Sequence, residues 1–143
     1  MFLFQCETTF EADPALVWKI WTDVAAWPQW DPSREIAQLD GDLVAGSSGW
    51  AKRRGALGGS FTITAVTPGR RWVAESPIPS GKLIFDHSVE PLADGRVRVS
   101  KSADAEGGFV VLLRVMLAAR MCRDTADSLA ALEQEVGLQQ SCR

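Results

Sequence analysis

The chain has 143 residues, 46% of them hydrophobic and 23% charged, values typical of one globular domain with a substantial core. Its formal net charge of −3 argues against nucleic acid as a partner, because phosphate binding normally needs clustered positive charge. The one basic cluster, Lys52-Arg53-Arg54, is too short to change this, and we interpret it as the solvated end of a strand.

Neither a signal peptide nor a membrane span is expected. The N-terminus lacks a basic region and a long apolar core. The longest apolar runs, Phe109–Leu113 and Val115–Ala119, are interrupted by Arg114 and are too short to cross a bilayer. An odd number of cysteines far apart in the sequence is typical of free thiols in a reducing compartment: Cys6, Cys122 and Cys142. We therefore expect a cytoplasmic protein.

The N-terminal segment predicts a half-buried strand followed by two short helices. Apolar and polar residues alternate there, with Phe2, Phe4, Cys6, Thr8 and Phe10 on one face. Asp13-Pro14 then begins a helix, since aspartate caps free amides and proline suits the first helical position. A second, shorter helical turn opens at Asp23, and Trp30-Asp-Pro32 closes the unit.

The middle of the chain predicts an antiparallel meander. Turn residues such as Asp40-Gly41, Pro68-Gly69 and Asp94-Gly95 separate short runs of strand-forming residues, and no helical pattern intervenes. The predicted strands are Glu35–Leu39, Ser48–Arg53, Ser60–Val66, Arg71–Glu75, Lys82–Glu90 and Arg96–Ala103.

The C-terminal segment predicts one long helix from Phe109 to about Val136, with residues 138–143 as a frayed tail. Its first half is apolar on nearly all sides, which predicts that it is covered on more than one face. The expected fold class is therefore α+β. A curved antiparallel sheet of about seven strands wraps around the long C-terminal helix, two short helices follow the first strand, and this helix-grip arrangement leaves space between sheet and helix.

With these elements placed, the chain resembles the START-like (SRPBCC) superfamily, and within it the polyketide cyclase/dehydrase type 2 group. The resemblance covers the chain from Phe2 to about Val136. It rests on these motifs: Ala12-Asp-Pro-Ala-Leu-Val-Trp18, Trp27-Pro-Gln-Trp-Asp-Pro32, Val66-Thr-Pro-Gly-Arg-Arg-Trp72, Glu90-Pro-Leu-Ala-Asp-Gly95 and Gly107-Gly-Phe109.

The resemblance implies a single ligand-binding domain, residues 1–137, with a tail at 138–143. No cofactor is expected. Members include lipid and sterol carriers, aromatic polyketide cyclases, hormone-binding proteins and coenzyme-Q-binding proteins, so the resemblance does not choose between binding and catalysis. The sequence also does not distinguish a monomer from a homodimer.

Aromatic and apolar residues predict a ligand cavity, because the chain has more ring surface than one closed core needs. The alternative is that these side chains simply fill the core. The ligand-binding candidates are Trp30, Trp50, Phe61, Ile63, Trp72, Phe85, His87, Leu112, Val115 and Met116. Trp18 and Trp21 are expected to fix the first helix to the fold, and Trp30 to lie at the cavity mouth.

His87 is the one candidate for a catalytic residue. It shares a strand face with Leu83 and Phe85, so it faces any cavity that they face, where it can orient a ligand or act as a general acid or base. The alternative is a core histidine paired with a neighbouring backbone group or hydroxyl. A single histidine excludes two-histidine metal sites, and no metal site is predicted. Lys101 is in phase with the inward-facing Val97 and Val99, but we expect its long side chain to reach water at the strand end.

Three functions follow as hypotheses. The preferred one is a carrier or sensor that binds a small hydrophobic molecule, aromatic, polyketide-like or lipid-like, between sheet and helix. The second is a cyclase/dehydrase-type enzyme in which His87 moves a proton. The third is an interaction module that anchors another protein through exposed rings at Trp27–Trp30.

Overall fold

The structure is a computed structural model that describes residues 1–108 and 110–142. A single, strongly curved antiparallel sheet contains seven strands in the order β1-β7-β6-β5-β4-β3-β2, with β1 and β2 at its edges. The strands are β1 Phe2–Glu11, β2 Arg34–Leu39, β3 Ser48–Arg53, β4 Gly59–Thr67, β5 Arg71–Ile78, β6 Gly81–Pro91 and β7 Arg96–Gly107. The predicted helix-grip arrangement is confirmed.

The helices after β1 follow the local sequence signals. Helix α1, Pro14–Thr22, begins where the Asp13 carboxylate accepts a hydrogen bond from the Ala15 amide at 3.0 Å. A 3₁₀ turn at Val24–Ala26 leads into the four-residue helix α2, Trp27–Trp30. The Trp27 Nε1 donates to the Trp21 carbonyl oxygen at 2.9 Å, so the second unit is fixed to the first.

The C-terminal helix differs from the prediction. It consists of two helices, α3 Val110–Met116 and α4 Ala118–Ser141, and Leu117 between them has non-helical backbone angles (φ −120°, ψ −22°). The apolar pattern runs through this junction without a glycine or proline, so no sequence signal marks it. Phe109, where the predicted helix begins, lies outside the described residues.

Two further expectations for this region were wrong. The first half of the predicted helix is not covered on more than one face. Four of its apolar side chains in α3 are exposed: Val111, Leu112, Val115 and Met116. Helix α4 also continues beyond Val136 into the expected tail. Its last turn is held in place because the Gln140 side-chain oxygen accepts from the Asp13 amide at 3.1 Å, at the start of α1.

The core lies between the sheet and helices α1 and α4. Its main cluster joins Val17 and Trp21 of α1 to Trp72 of β5 and to Leu132 and Val136 of α4, all buried. Trp18 and Trp21 both contact Trp72 edge to face, with ring centroids 5.8 and 4.6 Å apart. Both therefore fix α1 to the sheet, as expected for them.

Replacing Leu132 with alanine is expected to destabilise the protein strongly. Leu132 is fully buried in the core cluster, so Leu132→Ala loses buried apolar area and leaves a void, at a cost of about 2–5 kcal/mol in the free energy of unfolding. Leu138→Ala on the same helix is the matched control, because Leu138 is exposed and its change should stay within about 0.5 kcal/mol. Urea denaturation of both variants measures the difference. Equal losses would mean that α4 does not pack on the sheet through this face.

Candidate functional site

A cavity of about 340 Å³ lies between the concave face of the sheet and helix α4. Apolar side chains from the central strands form much of its wall: Phe61, Trp72, Ala74, Leu83 and Phe85. Leu117 and Met121 border it from the helical side. The outer end is formed by Leu57, which is 97% exposed, and by Leu117, which is 41% exposed, so this end faces solvent. We call this space the main cavity.

A second, much smaller cavity of about 20 Å³ adjoins the main cavity at its deep end. Trp21, Trp30, Asp31, Ser128 and Leu129 line this inner cavity only. The two cavities share the side chains of Trp27, Arg34, His87, Lys101 and Thr125. The polar groups of the site are therefore concentrated at the junction between the cavities, whereas the wall toward solvent is mainly apolar.

His87 is fixed in this junction by two contacts with Trp72. The imidazole lies flat against the indole, with ring centroids 4.0 Å apart and an interplanar angle of 4°. Its Nδ1 lies 3.3 Å from the Trp72 carbonyl oxygen. Since a carbonyl oxygen only accepts, this contact assigns the proton to Nδ1 and leaves a lone pair on Nε2. Burial, followed by the charge of Lys101, lowers the pKa of His87 well below its ordinary value.

Lys101 is buried at the deep end of the main cavity and does not reach bulk water. Only 8% of the residue is exposed, and its Nζ lies 4.9 Å from the centroid of the Phe85 ring. The ammonium has no hydrogen-bond partner among the residues that the structure describes. Burial, with smaller contributions from the charges of Arg34 and Arg53, lowers the pKa of Lys101 well below its ordinary value.

Two arginines accompany Lys101. The Arg34 guanidinium lies over the Trp27 ring, 4.8 Å from its centroid, and its Nε is 3.8 Å from an oxygen of Asp31. Burial, followed by the charge of Arg53, lowers the pKa of Arg34 to about 9. Arg53 donates to the Ser33 hydroxyl at 3.1 Å, and burial lowers its pKa as well. With a pKa of about 9, Arg34 remains charged at neutral pH.

Asp31 is the buried carboxylate of this group, and its hydrogen-bonding capacity is largely used locally. One oxygen accepts from the Ser33 amide at 2.9 Å and from the Ser33 hydroxyl at 2.7 Å. The other oxygen is the one near Arg34. Asp31 therefore shapes the turn into β2 and only partly offsets the charges of the two arginines.

Two of the cysteines meet beside the site. The Sγ atoms of Cys6 on β1 and Cys122 on α4 are 3.1 Å apart, although the residues are far apart in the sequence. Both are free thiols. Burial, followed by the hydrogen bond with Cys122, raises the pKa of Cys6 to about 11. The pair therefore packs β1 against α4, with Cys6 in thiol form.

Four of the ten predicted ligand-binding residues line the main cavity: Phe61, Trp72, Phe85 and His87. Ile63 faces the same side of the sheet but is buried in the core cluster. Trp30 lines the inner cavity, not the solvent-facing end where it was expected. The three predicted helical residues lie on the exposed helix α3 and are not part of the lining: Leu112, Val115 and Met116. Their contact with a ligand stays a prediction.

Trp50 was placed on the wrong face of the sheet. Its neighbours Ala51 and Arg53 line the main cavity, so the alternation of a strand directs Trp50 to the opposite face, where it is 37% exposed. The indole packs against Gly58 in the β3–β4 loop, where any side chain at position 58 would overlap it. Strand periodicity is consistent with either face, and the contact between Trp50 and Gly58 belongs to the outer one.

Sequence reasoning missed the three cationic side chains of the site. The alternation of β7 predicts an inward-facing Lys101, because the strand alternates between buried and partly exposed residues and Lys101 is in phase with Val99 and Ala103. Arg53 is in phase with Ala51, so the basic cluster is not entirely the solvated strand end that we expected. Arg34 had no usable signal, since β2 has a bulge between Arg34 and Ile36 that breaks the two-residue period.

The turn at Trp27–Trp30 does not present the exposed anchor that the third hypothesis requires. Trp27 is buried, and its N–H is used within the fold. Trp30 is half-buried, and its Nε1 is a buried donor without an acceptor among the described residues. Both rings face inward, toward the cavities.

Within the described ranges, no helix is both long enough and apolar enough to cross a membrane.

Comparison with curated protein sequences finds no match. Among solved structures, a hypothetical protein from Helicobacter pylori is similar, with a TM-score of 0.77 and 13% identity over 92% of this chain and 86% of that one. The Zhui aromatase/cyclase from Streptomyces sp. R1128 has a TM-score of 0.72 and 15% identity over 94% of this chain and 92% of its own.

Norcoclaurine synthase from Thalictrum flavum, in complex with dopamine and hydroxybenzaldehyde, has a TM-score of 0.68 and 13% identity over 92% of this chain and 86% of its own. At such low identity, these three likenesses show the fold alone. The family described as "Polyketide cyclase / dehydrase and lipid transport" matches residues 1–137, which is nearly the whole chain. The chain belongs to this family.

Proposed function

We propose that this protein binds a small hydrophobic molecule in the main cavity. The observation that supports the proposal most directly is the cavity itself, whose volume of about 340 Å³ lies within the range typical of small-molecule sites. Its wall is mainly apolar, with a few polar groups at one end, which is the usual division between affinity and orientation in such sites. The family assignment and the aromatase/cyclase neighbour agree with this function in general terms.

The apolar wall would supply most of the binding free energy. Each Å² of apolar ligand surface removed from water contributes about 25 cal/mol before the cost of association is subtracted. Phe61, Trp72 and Phe85 offer rigid rings that lose little side-chain freedom when a ligand binds. Planar aromatic or extended aliphatic molecules both suit such a wall.

A neutral fluorescent probe, N-phenyl-naphthylamine, is expected to bind the main cavity. Its emission rises in apolar surroundings, so a titration measures the dissociation constant directly. Ala74 is buried and lines the cavity, and Ala74→Phe places a ring in the space that the probe would occupy. We expect this variant to weaken binding at least about tenfold, equivalent to about 1.4 kcal/mol.

The matched control is Thr62→Phe. Thr62 is exposed and alternates with the buried Phe61 and Ile63, so the same ring is added to the opposite face of the sheet. Binding should remain unchanged in this variant, and thermal melting of both variants confirms that they fold. If the probe does not bind the unmodified protein, or binds both variants equally well, the main cavity is not the binding site.

A second candidate function is general-base catalysis by His87, the residue that the sequence suggested. The specific observation in its favour is that His87 lines the cavity and donates from Nδ1 to a backbone carbonyl, which leaves the Nε2 lone pair for a ligand. A pKa lowered by burial keeps the imidazole neutral and therefore basic in form at neutral pH.

Nitrobenzisoxazole tests this candidate as a small apolar substrate for proton removal. A base takes the ring C–H proton, the N–O bond breaks, and a coloured cyanonitrophenolate forms, so turnover is followed by absorbance. The rate should rise with pH as His87 loses its proton and should level off at a pH below 6.5, because its pKa lies below that ordinary value. We call this rise in rate below pH 6.5 the low-pH phase. His87→Phe keeps a ring beside Trp72 and should abolish the low-pH phase.

Lys101→Met is the control for this reaction, because Lys101 also lines the cavity and a lysine with a lowered pKa can act as a general base. The low-pH phase should survive this substitution. If the phase survives in His87→Phe and disappears in Lys101→Met, the base is the lysine. Should neither substitution change the rate, the cavity supplies no general base to this substrate.

A further inference from the structure

We propose that the hydrophobic ligand carries a carboxylate, which binds at the junction of the two cavities between Arg34 and Lys101. This inference rests on the proposed function, because it names the chemical class of the ligand in the main cavity. The observation behind it is the excess of positive charge at this end of the main cavity. Arg34 from β2 and Lys101 from β7 line the junction, and Arg53 from β3 lines the main cavity.

The carboxylates of the protein do not balance these charges. Asp31 lies beside Arg34 and is already bonded to Ser33. Asp124 and Asp127 on α4 act on Arg53, but Asp124 pairs with Arg120 and Asp127 is exposed. The other titratable groups facing Lys101 are the neutral His87 and the Cys6 thiol. The site therefore holds more buried positive charge than negative charge.

Buried charges of one sign are costly unless an opposite charge reaches them. Lys101 has no hydrogen-bond partner among the described residues, and its Nζ is positioned only by the weak attraction of the Phe85 ring. A ligand carboxylate would give the Lys101 Nζ the acceptor that it lacks, would favour the charged form of this group, and would offset Arg34 at the same time. A neutral ligand would leave both charges as they are.

The hydrogen-bonding groups around the junction agree with an anionic acceptor. Trp30 Nε1 is a buried donor without an acceptor among the residues described, and it belongs to the lining of the inner cavity. The Thr125 hydroxyl can also donate there. These donors suit a carboxylate, because a carboxylate accepts only.

The arrangement also sets the orientation of the ligand. The cationic end is deep, next to the fully buried Trp72, and the solvent-facing end is formed by the apolar side chains of Leu57 and Leu117. A monocarboxylic acid with an apolar body would therefore bind with its carboxylate innermost. Its apolar body would lie against the rings of the main cavity.

Decanoic acid and decanol test this inference, because they have the same chain length and differ in charge. Each is titrated at neutral pH against bound N-phenyl-naphthylamine, which is itself neutral. We expect decanoate to displace the probe at a concentration at least about tenfold lower than decanol, as is typical of a hydrogen bond to a charged group.

Lys101→Met should remove most of this preference by weakening decanoate at least about tenfold and decanol less than about threefold. Lys19→Met is the matched control, because it removes the same charge from an exposed position on α1 and should leave the preference intact. Removing a buried, unpaired charge is not expected to unfold the protein, and thermal melting checks this. Arg53→Gln is a second variant, which keeps a donor for Ser33 and should shift the preference in the same direction.

The outcomes separate the two proposals. If decanol displaces the probe as well as decanoate, the carboxylate assignment is overturned while hydrophobic binding stands. Equal losses of decanoate affinity in Lys101→Met and Lys19→Met would also overturn it, since net charge alone would then explain the effect. If the probe itself does not bind, both proposals fail.

Discussion

The contact between Trp72 and His87 joins the core of this protein to its candidate site. The indole is packed edge to face by Trp18 and Trp21, so it holds helix α1 on the sheet, and its remaining face lies flat against the imidazole. The Trp72 ring therefore positions helix α1 and also forms part of the deep wall of the main cavity. Because aromatic packing is close and directional, a change on either side of Trp72 is transmitted to the other.

The second constraint is electrostatic, and it opposes stability. Burial lowers the pKa of Lys101 and of Arg34, which means that the folded state disfavours the charged form of each group. Such groups persist in proteins mainly where a ligand or a reaction uses them. The site is thus a region where the free protein gives up folding free energy that a bound anion would restore.

Strand and helix positions could be predicted from the sequence because half-buried strands alternate with a period of two and the turns contain glycine and aspartate. The errors arose where tertiary contacts decide. The bulge in β2 places Arg34 on the inner face, and Gly58 provides a surface for Trp50 on the outer face. The C-terminal helix is interrupted at Leu117 without a local sequence signal. His87 could be placed by phase alone, whereas Lys101 was misjudged because its length permits either outcome.

The pairing of Cys6 with Cys122 has a practical consequence for chemical labelling. With a pKa of about 11, Cys6 is almost entirely in the unreactive thiol form at neutral pH, and it is half-buried against Cys122. Cys142 is exposed immediately after the end of α4. Because Cys122 is also less exposed than Cys142, a maleimide dye at limiting concentration should attach at Cys142 in preference to the other two, which gives the unmodified chain a reporter position outside the cavity lining.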